Sequence, residues 1–206
     1  MLSTQAIQGI EYIFTQAAGK TLLMDTLDVC NIEALKEQPN TSGAGTSLFP
    51  LPAGVGVNAS LRNVHSNGKF VEKDIVVLTI SSFLFRVLTI FHIGDDADTR
   101  DYFLKNTTGR SLTEVFSEIS NLCSGAMNCE LLRYFPHLGT STPYTLSSRS
   151  LPFLNEKKSG HLSRFLITLN GTVRLQATLC MYGYAPVDFV IDKNAAAVET
   201  GELEFF

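Results

Sequence analysis

Residues 75–93 read IVVLTISSFLFRVLTIFHI, a run whose one formal charge, Arg86, sits near its middle. A stretch of this length either crosses a bilayer as a helix or fills the inside of a folded domain, and the choice decides the fold. The residue types favour the inside. Val, Ile, Thr and Phe dominate the run and prefer strands. Arg86 would lie where a bilayer tolerates charge least. Ser81 and Ser82 mark a bend that divides the run into two strands. The expectation is a buried strand pair in a soluble protein.

Other segments carry strand signals as well. Strand signals fall at about 57–63, 70–80 and 83–92, and again in TPYTLSSR, HLSRFLITLN and TVRLQATLCMYGY. Between the last two, Asn170-Gly171 is a hairpin turn signal, because both residues tolerate positive φ. Two long segments follow a helical rhythm instead. Residues 3–24 place Ala6, Ile7, Ile10, Ile13, Phe14 and Ala17 on one face, with Ser3 or Thr4 as the cap. From Ser111 to about Tyr134, the sequence SLTE forms a capping box. Leu112, Val115, Phe116, Ile119, Leu122, Cys123 and Ala126 then supply the expected buried face. A short helix over about 97–106 is capped by Asp95 or Asp96.

Residues 36–57 are rich in Pro, Gly, Ser and Thr and read as an irregular loop insertion. Their GAGTS and AGVGV lack the lysine and the strand–helix context of a phosphate-binding loop. The segment 192–206 is an acidic tail. The order is therefore helix, strands, short helix, long helix, strands, with turns rather than helical crossovers between strands. That favours an α+β fold, an antiparallel sheet of about six strands with two long helices on one face, as a single domain over residues 1–206. A shift of 109 residues superimposes the two helical rhythms, pairing Ala6 with Val115, Ile10 with Ile119, Phe14 with Cys123 and Ala17 with Ala126. Pseudo-symmetric halves are expected.

Charge and cysteine usage exclude several functions. The net charge is −4 and the pI about 5.5, which leaves no electrostatic footprint for nucleic acid, and no polybasic stretch marks a membrane surface. Cys30, Cys123, Cys129 and Cys180 form no CxxC pair and have no histidine at ligand spacing, so neither a zinc site nor a disulfide framework is expected. Buried free thiols imply a reducing, cytoplasmic setting. The N-terminus lacks the basic region of a signal peptide, so the Asn-x-Ser/Thr triplets at Asn40, Asn58, Asn106 and Asn170 carry no meaning for glycosylation. DDADTRD lacks the spacing and glycine of a calcium loop.

One stretch is not explained by folding alone. In EISNLCSG, residues 118–125, a turn of about 100° per residue places Glu114, Glu118, Asn121 and Gly125 on one stripe opposite the apolar face. Glu118 and Asn121 are i, i+3 neighbours, able to act on one external group. Taken singly, Glu114 is a cap and Glu118 a solvated acid. Asn121 and Gly125, however, are poor mid-helix residues, the glycine by about 1 kcal/mol relative to alanine. Their alignment marks the helix surface as a candidate contact face.

EISNLCSG followed by TSTP resembles the signature of the CheC/CheX/FliY chemotaxis phosphatases. Those proteins carry Glu-x-x-Asn on a long helix, often a glycine four residues after the Asn, and a proline roughly twenty-two after it. Glu118, Asn121, Gly125 and Pro143 fill these places, Pro143 lying twenty-two positions beyond Asn121. The resemblance spans about residues 57–190 and, more loosely, the first helix. It implies hydrolysis of the aspartyl phosphate on a CheY-like response-regulator receiver. Asn121 would hold the attacking water, Glu118 would meet the receiver's lysine, and Gly125 and Pro143 would belong to the contact. The receiver would supply Mg2+, and this chain would bind no cofactor itself. Such chemistry needs positioning and charge compensation more than a nucleophile from the helper protein. The 109-residue shift sets Gly9 and Tyr12 against Glu118 and Asn121, so the first helix has no equivalent site. One motif in the second half is the CheX-like arrangement, which implies a homodimer. The alternatives are a non-catalytic receiver-binding or flagellar-switch-like module of the same fold, and an unrelated α+β protein carrying the motif by chance. Burial of Glu118 or Asn121 would support the last.

Overall fold

The apolar run folds as a hairpin. The computed structural model describes residues 1–35, 72–105, 107–151 and 160–192. Its elements in chain order are α1 (Thr4–Thr21), β1 (Cys30–Leu35), β2 (Glu72–Ser81), β3 (Phe85–Gly94), α2 (Ala97–Leu104), α3 (Leu112–Leu132), β4 (Gly139–Thr140), β5 (Tyr144–Ser147), β6 (His161–Leu169) and β7 (Val173–Gly183). In the β2–β3 hairpin Val77 faces Ile90 and Ser81 faces Arg86. Ser82 closes the turn, its Oγ accepting the backbone N–H groups of Leu84 at 3.0 Å and Phe85 at 3.1 Å. Alternate residues point to opposite faces, yet Ile75, Val76, Val77 and Leu78 are all buried. A strand covered on both faces reads as a continuous apolar run, which is why the segment resembled a membrane span. Among the described residues no helix is long and apolar enough to cross a membrane.

Among the described residues the seven strands pair antiparallel, in the order β1-β6-β7-β3-β2, with β4 and β5 both on the outer edge of β2. Exchanging β1 with β5, β2 with β6 and β3 with β7 reverses the order β1-β6-β7-β3-β2-β5 onto itself. Each half is thus a helix, an edge strand and a hairpin, and each half's edge strand pairs with the hairpin of the other half. The halves are pseudo-symmetric in topology as well as in helical rhythm. The described residues hold seven strands where about six were expected of the chain. The additions are β1 and the two-residue β4; the strand expected at 57–63 lies outside the described residues, as do the 36–57 loop and residues 193–206 of the tail.

The β6–β7 turn follows the Asn-Gly signal. Asn170 (φ 49°) and Gly171 (φ 73°) both take left-handed conformations, and Thr172 N–H donates to Leu169 O at 3.1 Å, a type I′ turn. Asn170 also accepts the Val29 N–H at 2.8 Å and donates to Asp28 at 2.8 Å, while Tyr102 on α2 donates to Asp28 at 2.7 Å. The hydrogen bonds from Tyr102 and Asn170 hold the Asp28 carboxyl below its usual range.

Helices α1 and α3 lie on one face of the sheet. Phe14 of α1 packs between Phe91 and Phe165, with ring centroids 6.0 and 4.9 Å away, and Phe116 of α3 packs on Phe103 of α2 at 4.6 Å. Each such ring removed from water stabilises the fold by about 1.5–3 kcal/mol. Burial also pushes the Cys123 thiol up to about 12. All four cysteines are free, but Cys129 is exposed and Cys30 only half-buried, so the expectation of buried thiols holds for Cys123 and Cys180 alone.

Leu122 corrects a second expectation. It was assigned to the buried face of α3 but is 57% exposed. Helix α3 contacts α1 as well as the sheet, and its buried arc takes in Ser120 and Ser124. That arc is rotated away from Leu122 relative to one drawn from apolar residues alone.

Candidate functional site

Helix α3 is fixed at its start by the capping box. Glu114 N–H donates to Ser111 Oγ at 3.2 Å, and Glu114 Oε2 accepts the Ser111 N–H at 2.7 Å and its hydroxyl at 2.9 Å. These bonds hold the Glu114 carboxyl below its usual range, with Arg110 adding a smaller effect of the same sign. Glu114 is therefore a capping residue.

One turn further on, Glu118 is exposed and paired with Arg110, Nη2 to Oε2 at 2.7 Å. Asn121 is exposed on the next turn, and Gly125 beyond it; a Cβ built on Gly125 would meet nothing within 4 Å. Glu118, Asn121 and Gly125 thus share the open face of α3, as the wheel requires. Pro143 is not on that face. It lies half-buried in the connector between β4 and β5, at the sheet edge against which α3 also packs. The connector is held to β2 by Ser141, whose N–H donates to Thr79 O at 2.9 Å and whose Oγ accepts the Thr79 N–H at 3.0 Å.

Two residues at this site escaped the sequence reading. Arg110 precedes the helix, so no helical periodicity links it to Glu118. Leu122 was hidden in the apolar rhythm, yet it is exposed between Glu118 and Gly125. The Arg110–Glu118 pair is solvent-exposed at both ends, and such pairs contribute about 0–1 kcal/mol. A cation from another molecule can displace Arg110 or share the carboxylate at little cost. The Asn121 amide offers donors and an acceptor without net charge. Among the described residues no three His, Cys, Asp or Glu side chains are grouped to hold a metal ion. The site therefore offers hydrogen bonds and one carboxylate to a group brought from outside.

No protein-family model and no curated protein sequence matches the chain. Solved structures do. The chain is similar to chemotaxis protein CheX from Vibrio vulnificus, with a TM-score of 0.50 and 10% identity over 84% of this chain and 99% of that one. CheX from Desulfovibrio desulfuricans gives 0.49 and 11%, over 84% and 99%. CheX from Borrelia burgdorferi, solved as a CheX–CheY–BeF3–Mg2+ complex, gives 0.47 and 12%, over 84% and 97%. At such identities the likeness is one of fold, and the fold is that of CheX.

Proposed function

We propose that this chain, built on the CheX fold, is a phosphatase that hydrolyses the aspartyl phosphate of a CheY-like receiver domain. The observation that carries the reading is the open face of α3, where Glu118, Asn121 and Gly125 stand together at the places their motif requires. None of the three packs into the core: Glu118 and Asn121 are exposed, and a Cβ on Gly125 would meet nothing within 4 Å among the described residues.

In this reading α3 lies across the receiver's phosphorylated site. Glu118 meets the receiver's lysine, exchanging Arg110 for it. Asn121 enters the site and holds a water in line with phosphorus, accepting from it and donating to it without adding negative charge near the phosphoryl group. Mg2+ comes with the receiver. Gly125 keeps the helix surface low where the partner approaches, and Pro143 borders the contact. The reading also includes a cytoplasmic setting and a homodimer formed by joining sheets through an exposed edge.

The test is the phosphoryl half-life of purified receivers labelled with a small phosphodonor, measured alone, with this chain and with Asn121→Ala. The proposal requires a receiver whose half-life the wild type shortens and the variant does not. Binding without acceleration would leave a receiver-binding scaffold instead.

A further inference from the structure

Asn121 is exposed on α3 and makes no hydrogen bond to any described residue. In the free chain, water satisfies its amide. Once α3 lies against a receiver, water is excluded and each polar atom needs a partner. A carboxamide has one oxygen acceptor and two N–H donors. The water-holding role uses the oxygen and the N–H on the same edge of the amide. The second N–H, turned back toward Cβ and the helix, is left without a partner by that role.

The helix limits what can accept it. Side chains on an α-helix lean toward its N-terminus, over the turn before their own Cα. The Asn121 amide therefore leans over the residues three and four before it, Glu118 and Ser117. Glu118 is engaged: its carboxylate holds Arg110 at 2.7 Å in the free chain and meets the receiver's lysine in the docked one. Ser117 is half-buried, and its hydroxyl is already oriented. Ser117 Oγ donates to Thr113 O at 2.8 Å, one turn back. A hydroxyl has one proton. With that proton committed to the backbone, Oγ offers its neighbours an acceptor alone, which is what the spare N–H requires. Folding gains little from this serine. It is a weaker helix former than alanine, and a back-bonded serine slightly destabilises its helix.

We propose that Ser117 is a positioning residue for Asn121: in the docked complex Ser117 Oγ accepts the spare Asn121 N–H and so fixes which way the amide faces. The proposal rests on the reading of α3 as a receiver-docking helix that holds the attacking water through Asn121. It adds the orientation of the amide. With the nitrogen tied back to Ser117, Asn121 Oδ1 is turned outward and accepts from the water. A flipped amide would set Oδ1 against Ser117 Oγ, acceptor against acceptor. One half-buried hydroxyl thus selects between two amide orientations that are alike in shape, and the water is held in one geometry.

The experiment measures kcat, KM and Tm of the purified chain acting on a phosphoreceiver whose half-life the wild type shortens. The variants are Ser117→Ala, Ser117→Thr, Ser124→Ala, Asn121→Ala and the double variant Ser117→Ala/Asn121→Ala. Ser117→Ala is expected to lower kcat about tenfold and leave KM unchanged, because positioning is lost and docking is not. Its Tm is expected to match or exceed that of the wild type. Ser117→Thr keeps a hydroxyl able to donate to Thr113 O, and is expected to recover most of the loss. Ser124→Ala removes a buried hydroxyl three residues after Asn121 and is expected to leave kcat unchanged. In the Asn121→Ala background, Ser117→Ala is expected to have no further effect on kcat, because the group it positions is gone. Unchanged kcat in Ser117→Ala, an equal loss in Ser124→Ala, or a full further loss in the double variant overturns the proposal. If Asn121→Ala loses the acceleration while Ser117→Ala keeps it, the catalytic reading stands and this proposal alone fails. If Asn121→Ala matches the wild type, or the chain shortens no receiver's half-life, both fail.

Discussion

On α1, Gly9 lies under the ring of Phe189; on α3, a Cβ built on Gly125 would meet nothing within 4 Å among the described residues. The two helices hold equivalent places in a pseudo-symmetric sheet, and the 109-residue shift sets the buried Gly9 against the exposed Glu118, so the sheet does not explain why that position is covered on one helix and open on the other. The strap after β7 does. It returns along the first half: Val187 N–H donates to Met1 O at 3.1 Å and Val187 O accepts the Ser3 N–H at 2.9 Å. Phe189 then reaches Gly9 and meets Phe135 and Tyr134 at ring separations of 5.1 and 4.9 Å. Among the described residues, the strap covers α1 at Gly9 and nothing covers α3 at Gly125. The lesson is that an internal repeat can keep one set of packing rules while a single connecting segment decides which copy has a surface to use.

The comparison can be pressed from several sides, beginning with the largest effect. Phe189→Ala removes the seal and leaves a gap over Gly9, and should cost about 3 kcal/mol, seen as a lower urea midpoint. An unchanged midpoint would mean the strap is not part of the folded half. Gly9→Ala and Gly125→Ala should then have opposite signs. On α1 the added methyl pushes against Phe189, and overpacking of about 1–3 kcal/mol outweighs the gain in helix propensity. On α3 the methyl enters open space and stabilises by about 0.5–1 kcal/mol. Equal signs would break the contrast.

Arg110→Ala should change stability by less than about 0.5 kcal/mol, because the pair with Glu118 is exposed. Its effect should appear in docking instead, as a tighter receiver complex whose salt dependence differs from wild type, read by titration at two ionic strengths. The smallest effect is a pH signature. Glu114 is held below the ordinary glutamate value of 4.5. A carboxylate with a lowered folded value stabilises above the ordinary value and loses that contribution as pH falls through the folded one. The start of α3 should therefore fray as pH falls below the ordinary glutamate value, detectable as faster amide exchange at the first turn. Glu114→Gln should abolish the pH dependence, whereas Ser111→Ala should only weaken it, because the backbone N–H of residue 111 still donates to Glu114.

Much of this was legible in the sequence because it is local. The β2–β3 and β6–β7 hairpins follow from their strand-forming residues and from the Ser81-Ser82 and Asn170-Gly171 turns, and the capping box from four adjacent residues. What was missed is non-local. Strand β1, CNIEAL, has little strand character of its own; it forms because β6 has a free edge for it, with Cys30 opposite Leu169. Leu122 fits the apolar rhythm, and only the packing of α3 against α1 as well as the sheet exposes it. Arg110 reaches Glu118 from outside the helix, and Phe189 reaches Gly9 across the whole chain. Of the candidate site, Glu118, Asn121 and Gly125 were readable as one stripe because a helix converts spacing into direction. Pro143, on a connector, was placed by motif alone.

The central claim is that the open face of α3 is open because Asn121 works there. The direct measurement is the rate of phosphoryl loss from a purified phosphoreceiver at saturating concentrations of wild type and of Asn121→Ala, with both confirmed folded. The account predicts a loss of about a hundredfold in the acceleration for the variant, with binding retained. Equal acceleration by the two proteins would contradict it.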